Sequence, residues 1–360
     1  MRILITGANG FVGRNLAVSL PDEHELFLYD IDTDPMLLQK YCQNAEFVFH
    51  LAGVNRPENP DEFMDGNYAF TSLLLEYLKK YRNTCPIVLS SSTQAALDNP
   101  YGKSKLAGEK LLKAYGEETG ATVIIYRFPN LFGKWCRPNY NSAIATFCHC
   151  IARDLPITVS DPAFELTVMY IDDVLDELKN SLALNPSELV THKATLGRIV
   201  QLLNEFKSSN KTLSIPDMSD PFTKKLHAAY LSYLPTDSFA YPLKMNVDDR
   251  GSFTEIMHTK HHGQFSVNIT KPGVVKGNHW HHTKIEKFLV VSGEGVIRFR
   301  RVDGAEVIEY HVSGSEHIVV DIAPGYTHSI ENTGNVDLIT FIWCSENFDS
   351  NRPDTIFLGV

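Results

Sequence analysis

The stretch MRILITGANGFVG, residues 1–13, decides the fold of the first half of the chain. A short apolar run at residues 3–6 leads directly into Gly7, Gly10 and Gly13. Such a run is typical of a buried strand, and glycines at these intervals allow a tight turn and a close approach of the backbone to a pyrophosphate. The N-terminus of a following helix would attract the same anion. The stretch therefore predicts a dinucleotide-binding turn between a strand and a helix.

The alternation of strand and helix continues to about residue 243. Further apolar runs, each predicted to be a buried strand, lie at residues 26–29, 47–51, 87–89 and 123–126. Helical periodicity is found between them, at residues 70–80 and 104–115. This order indicates an α/β fold with a doubly wound parallel sheet of the Rossmann type.

The pattern changes after Tyr241-Pro242. The rest of the chain is rich in glycine turns, and its short apolar runs lie at residues 288–291, 296–300, 307–312, 318–322 and 338–343. Closely spaced short strands are typical of an all-β sandwich or jelly roll. We therefore predict two domains, residues 1–243 and residues 244–360.

The composition excludes several functional classes. The chain has 360 residues, with 33 Lys and Arg against 43 Asp and Glu and a formal charge of -10, so it offers no basic surface for nucleic acid. It has no apolar stretch long enough for a bilayer and no signal-peptide pattern. Its six cysteines form no CxxC pair, as expected in a reducing compartment. We expect a cytoplasmic protein that binds neither nucleic acid nor membrane.

A candidate catalytic pair lies in the segment YGKSK, residues 101–105. On a helix, Tyr101 and Lys105 lie one turn apart on the same face. An ammonium group beside a phenol lowers the phenol pKa, so that the tyrosine can exchange a proton near neutral pH. Three serines, residues 90–92, end the preceding strand, where a hydroxyl could bind a substrate oxygen.

These motifs, in this order, resemble the extended short-chain dehydrogenase/reductase family. The matching segments are TGANGFVG (6–13), HLAGVNRP (50–57), SSS (90–92), PYGKSK (100–105), YRFPNLFG (126–133) and YIDDV (170–174). The resemblance implies that Tyr101 donates the proton, Lys105 assists it and Ser92 supplies the hydroxyl. It places Asn130 and Arg137 on the side that binds a sugar nucleotide.

The same resemblance implies a nicotinamide cofactor. Its binding residues would be Gly7, Gly10, Phe11, Val12, Gly13, Asp30, Leu51, Ala52, Gly53, Tyr101 and Lys105. Asp30 ends the second predicted strand, where a carboxylate binds the ribose 2′-hydroxyl of NADH and repels the 2′-phosphate of NADPH. Arg14 or Arg56 could instead bind that phosphate, so the residues point both ways.

The most specific pattern of the second domain is GVVKGNHWHHTKIEKFLVVSG, residues 273–293. His279 and His281 alternate along a predicted strand and share a face, while Glu286 can come from the neighbouring strand. The segment PGYTHSIEN, residues 324–332, supplies His328. Three imidazoles and one carboxylate suit one divalent transition metal with an open coordination position. His258, His261, His262 and His282 fall outside this pattern and are predicted to lie on the surface.

The two metal motifs resemble those of the cupin superfamily, although Ala323 replaces the usual proline of the second motif. The segment DDRGSFTE, residues 248–255, resembles that of sugar-nucleotide 3,5-epimerases, which implies that Arg250 and Glu255 bind a nucleotide sugar. The catalytic base of those enzymes aligns with His279, here a metal ligand. Lys276 and Lys284 are therefore candidate bases.

From end to end the chain resembles the CapF/WbjC family of bacterial capsule and O-antigen enzymes. That resemblance implies a homodimer with two activities on a UDP-linked 4-keto-6-deoxy amino sugar. The cupin would use zinc to epimerise carbon 3 of UDP-2-acetamido-2,6-dideoxy-β-L-arabino-hex-4-ulose. The reductase would then use NADPH to reduce carbon 4, giving the UDP-N-acetyl-6-deoxy-talosamine product on the way to UDP-N-acetyl-L-fucosamine.

Three alternatives follow from the same residues. The cupin could be a binding or dimerisation module attached to a 4-ketosugar reductase. It could be a metal oxygenase, because iron and manganese accept the same ligands. The chain could also be a dinucleotide sensor without turnover, although a sensor does not require Ser92, Tyr101 and Lys105 together.

Overall fold

The computed structural model describes residues 1–57, 59, 62–260 and 263–360. The chain forms two compact units, Met1–Asn204 with Lys224–Pro235, and Glu205–Thr223 with Thr236–Val360. Residues 205–223 thus belong to the same unit as the C-terminal strands, and the domain boundary at residue 243 stays a prediction. Within the described ranges, no helix combines the length and the apolar character that a membrane crossing requires.

The first unit contains eight described strands and most of the helices. The strands are β1 (Arg2–Thr6), β2 (Glu25–Tyr29), β3 (Phe47–His50), β4 (Ile87–Ser92), β5 (Val123–Phe128), β6 (Asn130–Phe132), β7 (Glu165–Tyr170) and β8 (His192–Thr195). The helices are α1 (Phe11–Ser19), α2 (Pro35–Asn44), α3 (Glu62–Met64), α4 (Phe70–Lys80), α5 (Pro100–Thr119), α6 (Ala143–Ala152) and α7 (Ile171–Leu182). A π-helical turn, Asp65–Ala69, joins α3 to α4. Residues of α8 (Leu196–Thr212) and α9 (Pro221–Leu231) are divided between the units.

A parallel sheet in the order β2-β1-β3-β4-β5 forms the centre of the first unit. Its inner strands are buried, as parallel strands are when helices cover both faces. The Rossmann-like α/β fold predicted from the strand and helix alternation is therefore confirmed. Strands β2 and β3 pair with opposite edges of β1. The strand order therefore reverses at β1, and a ligand crevice is expected at the carboxyl ends of β1 and β3.

The second unit is built from antiparallel strands. Its strands are β9 (Ser214–Ile215), β10 (Asn246–Asp248), β11 (Gly251–Thr259), β12 (Gln264–Thr270), β13 (Val275–Trp280), β14 (Glu286–Ser292), β15 (Glu294–Arg301), β16 (Val307–Ser313), β17 (Val319–Ile322), β18 (Tyr326–Asn332), β19 (Leu338–Cys344) and β20 (Ile356–Phe357). One sheet has the order β10-β11-β12-β19-β14-β17 and the other β16-β15-β18-β13-β20. Only β9 is parallel to its neighbour, β11, among the described pairs of this unit.

The two sheets of this unit share one hydrophobic core. Phe288 and Ile342 from the first sheet pack in the same cluster as Phe299 and Ile330 from the second. Alternate residues of β12, β14 and β19 are buried, as expected for strands with one face in a sandwich. The predicted all-β domain with jelly-roll-like layers is confirmed.

Candidate active sites

The glycine turn after β1 packs directly against the segment that follows β3. Gly7 has φ +71°, and a Cβ atom there would lie 2.7 Å from the backbone nitrogen of Ala52. The amide of Gly10 donates a hydrogen bond to the carbonyl of Gly7 at 3.0 Å and closes the turn. Gly13 lies in the first turns of α1, where it is buried. The turn therefore stands at the carboxyl ends of β1 and β3, where a dinucleotide would bind.

We expect Gly7→Ala to destabilise the first unit and to weaken dinucleotide binding. The new methyl group would be strained by the positive φ and would also overlap the backbone of Ala52. Gly120→Ala is the matched control, because Gly120 has a similar φ of +77° and no atom lies within 4 Å of the position that its methyl group would take. Because the two variants share the strain of a positive φ, the overlap with Ala52 should add a loss of about 1–3 kcal/mol in urea unfolding beyond that of the control. Equal losses in the two variants would mean that the contact with Ala52 is unimportant.

The remaining predicted cofactor residues surround this turn. Phe11 and Val12 are half-buried at the start of α1, and Leu51, Ala52 and Gly53 follow β3. A Cβ atom at Gly53 would lie 2.8 Å from Nζ of Lys105. The absence of a side chain at Gly53 thus lets the lysine reach the segment that contacts the glycine turn.

Asp30 at the end of β2 is directed toward the glycine turn. One carboxylate oxygen accepts a hydrogen bond from the amide of Asn9 at 2.7 Å, and the other accepts one from the amide of Ile31 at 2.8 Å. Arg14 and Arg56 are both exposed. The carboxylate therefore has backbone partners for both oxygens before any ribose approaches.

Tyr101 and Lys105 lie on consecutive turns at the beginning of α5. Asn99 caps this helix by accepting a hydrogen bond from the amide of Gly102 at 2.7 Å. Nζ of Lys105 donates to the carbonyl of Ser90 at 3.2 Å and lies 5.9 Å from the centre of the Tyr101 ring. Burial is the main cause that lowers the pKa of Lys105, to about 8. The predicted pair is thus brought together at the carboxyl end of β4.

The expected lowering of the Tyr101 pKa is wrong for this structure. Burial raises the pKa of Tyr101, and this effect outweighs the opposing hydrogen bond with Ser92. The ammonium group of Lys105 contacts the ring rather than the hydroxyl, which instead donates a hydrogen bond to Oδ1 of Asn55 at 2.9 Å. The Tyr101 hydroxyl is therefore held protonated in a half-buried position, ready to act as a donor.

Three residues around this pair carried no separate signal of function. Asn55 lies within the HLAGVNRP segment, but only the fold brings it to Tyr101. Asn67, in the π-helical turn, bonds both backbone groups of Val54 and the hydroxyl of Ser104. Glu109 lies one helical turn beyond Lys105 on α5. The sequence shows this spacing but not what the carboxylate contacts.

Glu109 ties the end of β4 to α5. Its buried carboxylate accepts two hydrogen bonds from Arg127, at 2.8 and 2.6 Å, and one from the hydroxyl of Ser91. Ser91 lies between Ser90, which binds Lys105, and Ser92. The ion pair thus fixes the serine segment from which the predicted hydroxyl comes.

The predicted sugar-nucleotide residues lie after β5. Asn130 is the first residue of β6 and is exposed. Its side-chain amide donates a hydrogen bond to the carbonyl of Thr167 at 3.2 Å. Arg137 is exposed with its guanidinium 5.4 Å from the centre of the Tyr140 ring. The electrostatic effect of Tyr140 contributes to raising the pKa of Tyr101.

The four predicted metal ligands converge in the second unit. His279 lies on β13, His281 follows this strand, Glu286 begins β14 and His328 lies on β18. One ligand atom from each of the four lies within 4.8 Å of the others. Oε2 of Glu286 is 3.3 Å from Nε2 of His281 and 3.5 Å from Nε2 of His328.

The chemistry of this cluster fits a bound cation. Nε2 of His281, Oε2 of Glu286 and Nε2 of His328 are buried and have no hydrogen-bond partner among the described residues. Buried polar atoms without partners are costly, and a divalent cation would satisfy all three. Burial, reinforced by the neighbouring His328, lowers the pKa of His279 to about 4, so that His279 is neutral and able to coordinate. The sulfur of Cys344 contacts the other oxygen of Glu286 at 3.3 Å.

Two cavities adjoin the cluster. One, of about 240 Å³, has apolar walls that include Phe288 and Ile342. The other, of about 660 Å³, is more polar and includes Asp248 and Arg250. Both are lined by Phe253, Asn268, Lys276, Gly277 and His279. The cluster therefore lies beside two cavities that share part of their walls.

The structure brings Arg250 to this space but not Glu255. Arg250 lines the larger cavity, where Asp248 holds its guanidinium at 2.6 Å. Glu255 lines neither cavity, and its carboxylate pairs with Nδ1 of His258 at 2.6 Å. The expectation that Glu255 faces the sugar nucleotide is therefore not supported, because a local hydrogen bond with His258, three residues away, involves its carboxylate.

The two candidate bases differ in their surroundings. Lys276 lines both cavities, and its Nζ donates to Oδ1 of Asn268 at 2.9 Å and to the carbonyl of Ile269 at 2.8 Å. Burial is the main cause that lowers the pKa of Lys276. Lys284 lines the smaller cavity only and binds the hydroxyl of Thr355 at 3.1 Å.

The histidines predicted to lie on the surface have different positions. His282 is exposed, as predicted, whereas His258 is half-buried against Glu255. His261 and His262 lie outside the described residues.

Family comparisons agree with this two-part architecture. Residues 3–179 match the NAD dependent epimerase/dehydratase family. Residues 246–356 match the polysaccharide biosynthesis C-terminal domain. Each match contains one of the two candidate sites.

Two individual relatives match the whole chain, and a third protein matches part of it. A UDP-2-acetamido-2,6-beta-L-arabino-hexul-4-ose reductase of Pseudomonas aeruginosa is 41% identical, with 100% of this chain and 99% of the relative covered. The crystal structure of the capsular polysaccharide assembling protein CapF from Staphylococcus aureus is 53% identical, with a TM-score of 0.96 and complete coverage of both chains. A UDP-glucuronic acid 4-epimerase from Bacillus cereus, 20% identical over 65% of this chain and 98% of its own with a TM-score of 0.54, shares the fold alone. This chain belongs to the CapF/WbjC family, in which an epimerase/dehydratase domain is joined to a polysaccharide biosynthesis C-terminal domain.

Proposed function

We propose that the chain is a bifunctional enzyme that epimerises carbon 3 and then reduces carbon 4 of UDP-2-acetamido-2,6-dideoxy-β-L-arabino-hex-4-ulose. The observation that carries this proposal is the presence of two separate sites in one chain, a Tyr101–Lys105 pair and a buried cluster of three histidines and Glu286. The full-length similarity to a reductase of a UDP-linked 4-ketosugar supports the substrate class. The product would be the UDP-N-acetyl-6-deoxy-talosamine derivative, a precursor of UDP-N-acetyl-L-fucosamine.

In the reductase, a nicotinamide cofactor supplies the hydride that adds to carbon 4. Tyr101 then gives its phenolic proton to the carbonyl oxygen, so that C=O becomes CH–OH and the cofactor is oxidised. Ser92 at the end of β4 donates a hydrogen bond to the same oxygen and orients it. Lys105, whose ammonium lies 5.9 Å from the centre of the Tyr101 ring, would place a positive charge near the phenolate that remains.

In the second unit, a divalent cation would supply positive charge to the ketone oxygen and so acidify the hydrogen on carbon 3. Lys276 is the better placed of the two candidate bases, because it lines both cavities next to His279. Arg250 in the larger cavity provides a positive charge for the diphosphate. Removal of the proton and its return on the opposite face would invert carbon 3 without any change in composition.

The chemistry fixes the order of the two steps. A hydrogen on carbon 3 is acidic only while carbon 4 is a ketone, and reduction removes that ketone. Epimerisation must therefore come before reduction.

We propose NADPH as the cofactor, with NADH as a competitor because of Asp30. The amide of Asn9 in the glycine turn holds one oxygen of the Asp30 carboxylate and the amide of Ile31 holds the other, so that both oxygens already have backbone donors, which supports tolerance of a 2′-phosphate. The homodimer and the cytoplasmic location stay predictions from the family resemblance and the composition.

Mass spectrometry of the 4-keto-6-deoxy UDP-sugar in heavy water tests both activities together. We expect deuterium to enter the substrate without a cofactor, and the mass increase of two added hydrogens to appear only with NADPH. Reduction without uptake of solvent deuterium would leave a ketosugar reductase with a binding or dimerisation module. Consumption of oxygen would favour an oxygenase, and no change in either condition would favour a dinucleotide sensor.

A further inference from the structure

Asp354, in the segment that precedes β20, binds the loop between two of the candidate metal ligands. Its Oδ1 accepts a hydrogen bond from the amide of His282 at 2.9 Å. Its Oδ2 accepts hydrogen bonds from the amides of Thr283 and Lys284, each at 2.9 Å. One carboxylate thus takes three consecutive backbone donors of the loop that joins His281 to Glu286.

The main chain of Asp354 contacts a ligand directly. Nδ1 of His281 lies 2.6 Å from the carbonyl oxygen of Asp354, a distance that requires Nδ1 to carry the proton and donate it. Nε2 of the same ring is then the free nitrogen, and it is the atom that lies 3.3 Å from Oε2 of Glu286. The carbonyl therefore selects the tautomer and the ring orientation that coordination requires.

The backbone of Asp354 adopts an uncommon conformation while it makes these contacts. Its φ is +37°, in the left-handed region that aspartate tolerates better than most residues. Residues around it, Arg352 and Pro353, line the smaller cavity. The segment is thus part of the wall of the candidate site.

The charge of the Asp354 carboxylate is maintained by the same loop. Desolvation acts to raise the pKa of Asp354, but the amides of Thr283, His282 and Lys284 outweigh it and hold the pKa well below its usual range. At neutral pH the group is therefore an acceptor for all three donors.

We infer that Asp354 is a positioning residue of the candidate metal centre, which fixes the 282–284 loop through its carboxylate and the His281 ring through its carbonyl. This inference rests on the proposed function, because it assumes that the histidine and glutamate cluster binds a divalent cation. Loss of a residue that holds a metal ligand in place, without binding the metal itself, lowers metal affinity by about 10–100-fold.

The test is a zinc titration of the full-length, metal-free chain against a chelator of known affinity. We expect Asp354→Ala to weaken zinc binding by about 10–100-fold. Asp354→Asn, which keeps one acceptor oxygen and tolerates the same φ, should have an intermediate affinity. Asp349→Asn is the matched control, because Asp349 lies in the same segment and its carboxylate accepts a hydrogen bond from one backbone amide, that of Asn351, at 2.9 Å. Its zinc affinity should stay within twofold of the wild type.

Two further measurements separate positioning from simple stability. The thermal unfolding midpoint of the metal-free variants measures the stability lost when the three backbone donors lose their acceptor. The visible spectrum of Co²⁺ in the cluster, which such a loss does not alter while the protein stays folded, should change in Asp354→Ala but not in Asp349→Asn. If Asp354→Ala fails to fold, the affinity and spectrum of Asp354→Asn decide the question. Zinc binding within twofold of the wild type in the folded Asp354 variants, while His281→Ala loses zinc, would overturn the inference and leave the proposed function intact. A wild type that binds no zinc would overturn this inference, and the proposed epimerase would fall with it only if solvent deuterium also failed to enter the ketosugar.

Discussion

Tyr101→Phe is expected to lower kcat for ketosugar reduction by roughly 10²–10⁴-fold, the usual contribution of a positioned general acid. The substitution removes the only proton that this side chain can give to the carbonyl oxygen and leaves the ring in place against Lys105 and Phe63. KM for the sugar nucleotide should change little, because the ring contacts are retained. Steady-state oxidation of NADPH with the ketosugar measures both constants.

Tyr115→Phe is the control for this variant. Tyr115 lies on the same helix, is buried, and donates its hydroxyl proton to the carbonyl of Asn83 at 2.8 Å. Its loss should reduce the free energy of unfolding by about 1 kcal/mol without a change in kcat. Solvent deuterium should still enter the ketosugar in both variants, since the second unit carries out that exchange. Full reductase activity in Tyr101→Phe would remove Tyr101 from the mechanism.

Much of the first unit could be predicted from the sequence because its signals are local. Each apolar run became a strand of the central sheet, and the glycine turn lies where a strand meets a helix. The pairing of Tyr101 with Lys105 follows from helix geometry alone. Such features depend on residues within a few positions of one another.

The surroundings of this pair could not be predicted in the same way. Asn55 and Tyr101 are 46 residues apart in sequence, and their hydrogen bond exists only because the segment that follows β3 meets the start of α5 in the folded unit. The raised pKa of Tyr101 has the same origin, since burial is a property of the folded unit. A sequence motif identifies the groups that carry the chemistry but not the dielectric environment around them.

The cluster of three histidines and Glu286 in the second unit was predicted only in part. The alternation of His279 and His281 correctly indicated a shared site, although a bulge after Gly277 shifts the register and β13 ends before His281. Position in a motif did not give the direction of Glu255, whose carboxylate is taken by His258. No local pattern could reveal Asp354, which lies 73 residues from His281.

Glu286→Gln is expected to abolish zinc binding in the micromolar range and, with it, the uptake of solvent deuterium. The amide is isosteric but neutral, and it places a weaker acceptor between the two imidazoles that lie 3.3 and 3.5 Å from the present carboxylate. The affinity should fall by more than the roughly 100-fold that loss of an outer partner costs. Reduction of a ketosugar that is already epimerised should continue at the wild-type rate, because Tyr101 and Lys105 are untouched.

Stability measurements decide whether this loss is specific. Zinc at 100 times its dissociation constant should stabilise the wild type by about 2.7 kcal/mol, and this gain should vanish in Glu286→Gln while the metal-free proteins unfold alike. Glu294→Gln, an exposed substitution at the start of β15, should keep the zinc-dependent gain. Unfolding of Glu286→Gln with loss of both activities would show that the metal has a structural role. Retained deuterium uptake in a folded, zinc-free Glu286→Gln would instead mean that the second unit enolises the sugar without a metal, and Lys276 and Lys284 would then have to supply the positive charge at the ketone oxygen.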